Sequence, residues 1–145
     1  MSQDERPADG HETTEQTIRA ILREAKTIAV VGLSPDPSRP SHGVARYMQE
    51  QGYRIIPVNP AEREILGEAC YATLSDIPFP VDVVDVFRRS EFVPPIAEDA
   101  VKIGAKALWL QLGVISPEGA ETAKRGGLRV VMDRCLVIEH ERFGG

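Results

Sequence analysis

The stretch TIAVVGLSPDPSRPSHGVARYMQEQG, residues 27–52, decides the fold. It opens with a short β-branched run that is apolar at successive positions. A strand wetted on one face would alternate, whereas one apolar on both faces suits the centre of a parallel sheet. Gly32 ends the run where the chain must turn sharply. A loop of prolines and serines follows. Val44, Tyr47, Met48 and Gln51 then fall on one helical stripe, with Gly52 as the C-terminal stop and Ser41 as the predicted N-cap. Strand, glycine turn and helix open like the phosphate loop of a nucleotide-binding protein, but the other glycines of a dinucleotide loop are missing. Ser34 and Pro37 stand in their places.

The same unit recurs outward from this stretch. Upstream, TTEQTIRAILREAK (13–26) sets Ile18, Ile21, Leu22 and Ala25 at the spacing of a half-buried helix, and Thr13 and Gln16 at capping-box spacing. Downstream, YRIIPV, VDVVDVF, KALWLQLG and LRVVMD read as four further strands. Between them lie a short turn around EACYATL and a helix in SEFVPPIAEDAVKIGA, whose Pro94 and Pro95 fit only a first turn. A second helix in SPEGAETAKRGG has Ser116 as N-cap and Pro117 at its first position, and RCLVIEHERF closes the chain as a short helix. Regular alternation predicts an α/β fold: a Rossmann-like open parallel sheet of about five strands with helices on both faces. Right-handed crossovers give the expected order 3-2-1-4-5, with a ligand site beyond the carboxyl ends of the strands, at the switch between strands 1 and 4.

The chain has 145 residues, 42% of them hydrophobic and 27% charged, a composition that fits one domain. Residues 1–12 are expected to form a disordered tail and residues 13–145 the folded domain. A net charge of −5 argues against non-specific binding to nucleic acid or an anionic membrane. No apolar run is long enough to span a bilayer, and the acidic N-terminus lacks the apolar core of a signal peptide. Cys70 and Cys135 match no zinc spacing, which predicts free thiols in a cytoplasmic protein.

The strand-end segments GLSPDPSRPS, NP, FRRS, QLGV and DRC carry the candidate chemistry. Gly32 brings backbone close to a ligand; Ser34, Ser38 and Ser41 offer hydroxyls; the helix after the loop offers unpaired N–H groups. Arg39, Arg88 and Arg89 add positive charge, so the loop suits phosphates; the same residues also serve as a plain turn with solvated arginines. Asn59 and Pro60 follow strand 2, where an acidic ribose ligand would mark an NAD site, and no G-K-[ST] marks a P-loop. His42 reads as a capping or surface histidine, and His11 and His140 as exposed. Asp85, inside an apolar run, is expected to hydrogen-bond to a neighbouring loop. Asp82 flanks that strand without forming an acid–base pair. Trp109 and Cys70 read as packing. Cys135 sits beside Arg134, which lowers a thiol pKa, but also suits a small buried thiol.

In this order the motifs D-P-S-R-P-S, P-V-N-P, D-V-F-R, W-L-Q-x-G and D-R-C resemble the single-domain bacterial CoA-binding proteins, a family similar to the CoA-binding domain of the succinyl-CoA synthetase α subunit. The resemblance runs from residue 15 to about residue 143 and implies a Rossmann-like domain that binds coenzyme A or acyl-CoA. It implies that Gly32, Leu33 and Ser34 line the first turn, and that Ser38 and Arg39 meet the nucleotide phosphates. Val58, Asn59 and Pro60 would border the adenine or its ribose, and Phe87 and Arg88 cover the nucleotide edge. Gln111, Leu112 and Gly113 would face the pantetheine. Asp133, Arg134 and Cys135 occupy the place of an Asn-Cys turn in the synthetases, with larger groups here. A ligand with a 3′-phosphate also explains why no carboxylate follows strand 2, since it would repel that phosphate.

The expected function is therefore a non-catalytic module for a small-molecule CoA ligand, with no nucleic-acid or membrane partner and no protein partner named by the sequence. Two alternatives stay open: a CoA-dependent enzyme for thioester hydrolysis or CoA transfer through His42 or Cys135, and an NAD- or nucleotide-binding subunit. No nucleophile and base are oriented together by the sequence, and the synthetases' phosphohistidine domain has no counterpart.

Overall fold

The computed structural model describes residues 12–144. The expected alternation is present: α1 (Thr14–Glu24), β1 (Thr27–Val31), α2 (Pro40–Glu50), β2 (Arg54–Val58), a hairpin of β3 (Glu64–Ile65) and β4 (Glu68–Ala69), β5 (Val83–Val86), α3 (Val93–Lys102), β6 (Ala107–Leu110), α4 (Pro117–Arg125), β7 (Arg129–Val131) and α5 (Leu136–Glu139). The Thr13–Gln16 capping box forms in both directions at the start of α1, and Ser116 caps α4 above Pro117. Residues 1–11 of the expected tail, His11 among them, lie outside the described residues. Glu12 is held by Arg129, whose Nε and Nη2 reach its two carboxylate oxygens at 3.1 and 3.2 Å.

The five main strands are all parallel, and they make an open Rossmann-like sheet. Their order is β2-β1-β5-β6-β7, which in order of the main strands is 2-1-3-4-5, not the expected 3-2-1-4-5. Pro57 is the physical reason. An interior parallel strand must donate to both neighbours, and proline has no N–H, so it belongs on an edge. β2 is that edge. Pro57 turns its carbonyl away from β1 to accept the Tyr71 N–H at 3.0 Å, and a bridge between Val58 and Tyr71 covers the margin. The topological switch therefore falls between β1 and β5.

Both faces of the sheet are covered, which accounts for strands apolar on both faces. On one face Val84, Val86, Leu108 and Leu110 pack with Val93, Ala97 and Ala100 of α3 and Ala123 of α4. On the other, Val30, Ile55, Val83 and Trp109 pack with Ile18, Ile21 and Leu22 of α1, Met48 of α2 and Leu136 of α5. Trp109 is fully buried, as expected, and its Nε1–H donates to the Arg134 carbonyl at 2.9 Å. A buried indole N–H needs such a partner, so the core also fixes the turn after β7. At the opposite end of the sheet, Asp82 accepts the N–H groups of Lys26 and Thr27. Its burial opposes ionisation, but these hydrogen bonds outweigh it and hold the carboxyl below its ordinary range.

His140, expected at the surface, is buried. Its Nδ1 lies 3.0 Å from the Tyr47 hydroxyl, and its ring stands edge-on to Tyr47 and Tyr53. The last turn bends back over α1 and α2, which the position of a residue near the chain end does not disclose.

Candidate functional site

The loop after β1 is built from its own hydrogen bonds. Gly32 has φ +88°, a left-handed conformation that favours glycine, and its N–H donates to the Val58 carbonyl at 3.0 Å. A Cβ on Gly32 would stand 2.6 Å from the Phe87 carbonyl oxygen and 3.0 Å from Arg88 Cδ. This close approach seats the β1 loop against the segment after β5, at the switch point. The Asn59 side chain ties the loop to the end of β2: Nδ2 donates to the Leu33 carbonyl at 3.0 Å, while Oδ1 accepts the Ala61 N–H.

α2 begins at Pro40, two residues earlier than expected, and Ser41 is not its cap. Proline presets the first helical φ, so Arg39 takes the capping position without a side-chain cap bond. Ser41 instead turns inward, and its hydroxyl oxygen accepts the Ser34 N–H at 3.0 Å. Ser34 Oγ accepts the Asp36 N–H, and Asp36 accepts both the N–H and the hydroxyl of Ser38 at 2.9 Å. The backbone and side-chain hydrogen bonds from Ser38, with the nearby charge of Arg39, lower the pKa of Asp36. Thus Ser34, Ser38 and Ser41 all serve first to shape the loop. His42 is buried just inside α2, not at the surface.

Two arginines stand at these loop ends, Arg39 at the N-cap of α2 and Arg88 just after β5. Among the described residues neither Arg39 nor Arg88 makes an ion pair; Arg88 lies over the Phe92 ring at 4.6 Å, with Arg89 over the same ring at 5.2 Å. Leu33 and Val58 are buried core side chains, so what they present at the strand ends is backbone.

Past the switch, Gln111 turns its side chain down into the core, where Nε2 donates to Asp85 Oδ1 at 2.7 Å. Asp85 is fully buried and its Oδ2 has no hydrogen-bond partner. Burial pushes its pKa up to about 8, against the pull of the Gln111 hydrogen bond. Asp85 is therefore largely a neutral acid at pH 7, bonded to the first residue after β6, in the neighbouring loop, as the sequence suggested. Leu112 is exposed beside Gly113, and the Gly113 N–H donates to Asp133 Oδ1 at 2.7 Å. Asp133 takes φ +64°, and its role as a tie between the β6 and β7 ends was not read from the sequence. The signal available was residue type, since aspartate tolerates this region better than most. Cys135 is partly exposed at the start of α5, with no hydrogen bond to an acid or base among the described residues. Cys70 donates to the Asn59 carbonyl, and burial raises its thiol pKa. No group of acidic, histidine or cysteine side chains suited to a metal occurs among the described residues, and no helix there is long and apolar enough to cross a membrane.

The open parallel sheet, with the start of α2 and the segment after β5 at its strand ends, is a Rossmann-like α/β domain. The chain belongs to the CoA binding domain family, whose model matches residues 26–141. It is 45% identical over 123 residues to YneT of Bacillus subtilis (strain 168), covering 85% of this chain and 91% of that protein. A solved structure of a protein from Pyrococcus horikoshii OT3 superposes with a TM-score of 0.88 at 42% identity, over 97% of each chain. Similarity also extends to the α subunit of acetate–CoA ligase (ADP-forming) I of Pyrococcus furiosus, 30% identical over 126 residues; the match covers 76% of this chain but 27% of that subunit.

Proposed function

We propose that the protein binds coenzyme A or acyl-CoA across the carboxyl ends of its strands and acts as a binding module. The observation that supports this most directly is the pair Arg39, at the N-cap of α2, and Arg88, just after β5, neither of which makes an ion pair among the described residues. A helix start favours anions, and guanidinium groups match phosphate oxygens. Coenzyme A supplies a pyrophosphate and a 3′-phosphate for such donors, and it leaves a flexible pantetheine arm to lie along the strand ends.

The residues present fit that ligand in kind. The α2 first turn, Arg39 and Arg88 would take the phosphates at the β1–β5 switch. Asn59 and Pro60 would border the base or ribose at the β2 edge. Phe87 would close the nucleotide side. The pantetheine would follow the backbone of Gln111 and Gly113 past exposed Leu112, toward Arg134 and Cys135. In this reading Gln111 contributes main-chain groups and a fixed strand end, because its amide is committed to Asp85.

Isothermal titration with coenzyme A tests the reading. Saturable binding is expected, and no heat or shift at millimolar ligand would overturn it. Arg39→Ala is expected to weaken coenzyme A about tenfold, the size of one charge-assisted contact, and dephospho-coenzyme A by less. Equal losses for the two ligands would assign Arg39 to the pyrophosphate instead.

A further inference from the structure

The segment after β5 carries a second arginine, Arg89, beside the one already placed at the phosphates. Arg88 and Arg89 both stand over the Phe92 ring, with their guanidinium carbons 4.6 and 5.2 Å from its centre. Each contact alone is weakly favourable, since a cation is drawn to the face of an aromatic ring. Together they gather two like charges on one ring, and like charges so close repel. An anion between them removes that repulsion and gains from both. Arg89 also lies 4.0 Å from Glu91 Oε2, but the two side chains are 75% and 68% exposed, and an ion pair so long and so wet is worth little. The charge of Arg89 is therefore available to a ligand.

The ring is fixed by its own turn. The Phe92 N–H donates to the Arg89 carbonyl at 2.9 Å, and Ser90 Oγ accepts the Ile115 N–H at 2.9 Å, which ties the turn to the loop after β6. Arg88 is restrained along its stem as well: a Cβ on Gly32 would stand 3.0 Å from Arg88 Cδ. The stem therefore passes beside the glycine turn of β1, at the switch point, while the guanidinium rests on Phe92. In open parallel sheets a pyrophosphate lies at that glycine turn and the helix start that follows it. Two guanidinium groups on one fixed ring match the two linked phosphates of such a group.

We propose that Phe92 is a positioning residue that gathers Arg88 and Arg89 into one clamp for the pyrophosphate of the ligand. The arginines meet the phosphate oxygens, and Phe92 acts only through them. The inference rests on the coenzyme A reading above and adds Arg89 and Phe92 to that site.

Titration calorimetry with coenzyme A and dephospho-coenzyme A, at two salt concentrations, tests the clamp. Arg89→Gln is expected to weaken both ligands equally, about fivefold, and to lower the salt dependence of binding. Phe92→Leu keeps an apolar side chain in the turn but removes the ring face, and is expected to cost about fivefold, the size of two exposed cation–π contacts. Phe92→Tyr, which restores the face, is expected to bind like the parent chain. In a chain carrying Arg88→Gln and Arg89→Gln, Phe92→Leu is expected to cost less than twofold, because residues that act through one another are non-additive. Parent-like binding by Arg89→Gln would overturn the proposal, whatever the folding of the Phe92 variants. So would a loss confined to coenzyme A, which would move Arg89 to the 3′-phosphate, or an undiminished Phe92→Leu loss in the background lacking both arginines. Failure of the parent chain to bind coenzyme A removes the coenzyme A reading and this inference together, whereas parent binding that Arg89→Gln leaves intact removes this inference alone.

Discussion

Replacing Asp85 by asparagine is expected to flatten the pH dependence of stability and to make the protein more stable at pH 8. In the folded chain the Asp85 carboxyl is fully buried, and its pKa rises from an ordinary 3.8 to about 8. Below pH 4 the acid is neutral in both states, so its titration does not alter stability there. Between these values the unfolded chain releases the proton and the folded chain keeps it. Stability then falls by about 1.4 kcal/mol for each pH unit, on the order of 5 kcal/mol across the window, and falls no further above pH 8. That is a large share of the 5–15 kcal/mol typical of a domain. Asparagine keeps an oxygen for the Gln111 amide and has no proton to lose. Urea midpoints from pH 5 to 8.5 measure the difference between parent and variant, which cancels the opposite contributions of Asp82 and Asp36. The gap between the two chains is expected to widen steadily from pH 5 to pH 8. Parallel profiles would show that Asp85 is not the buried neutral acid described above.

Gly32→Ala is expected to cost about 2–4 kcal/mol, combining a left-handed φ for a residue with a Cβ and a forced backbone shift. The clash is with the Phe87 carbonyl oxygen at 2.6 Å, which is main chain and cannot swing aside. The strain falls at the switch point itself. The β1 loop and the Phe87–Arg88 segment would have to part, displacing Arg88 relative to the start of α2. Coenzyme A affinity is therefore expected to fall by more than tenfold even at temperatures where the variant stays folded. Thermal unfolding and titration on the same preparation separate the two effects. A variant that loses stability but binds normally would mean that this contact only closes the fold. One that keeps both would refute the close approach.

The site joins groups that differ in how openly they are written in the chain. Arg39 and Arg88 stand in polar loops after apolar strands, and the rule that ligands meet strand ends is enough to select them. Ser41 was selected for the same reason, but Pro40 starts the helix and sends that hydroxyl inward. Gln111 follows an apolar strand and would be expected to face outward; the buried Asp85 draws its amide into the core.

The sequence by itself determined the elements and their class. Apolar strands broken by glycine and proline, the Thr13–Gln16 box and Ser116–Pro117 are local signals, and local hydrogen bonding and backbone sterics enforce them wherever the chain goes. The loop's family motifs were likewise legible, because they are contiguous. The order of strands depends on which partners compete for each edge. Pro57 carried a hint of that order, since a residue without an N–H excludes an interior place. The burial of His140 and the inward turn of Gln111 belong to the tertiary structure alone. Each depends on desolvation and on partners distant in sequence or on another element, and neither quantity exists until the sheet and its helices have closed.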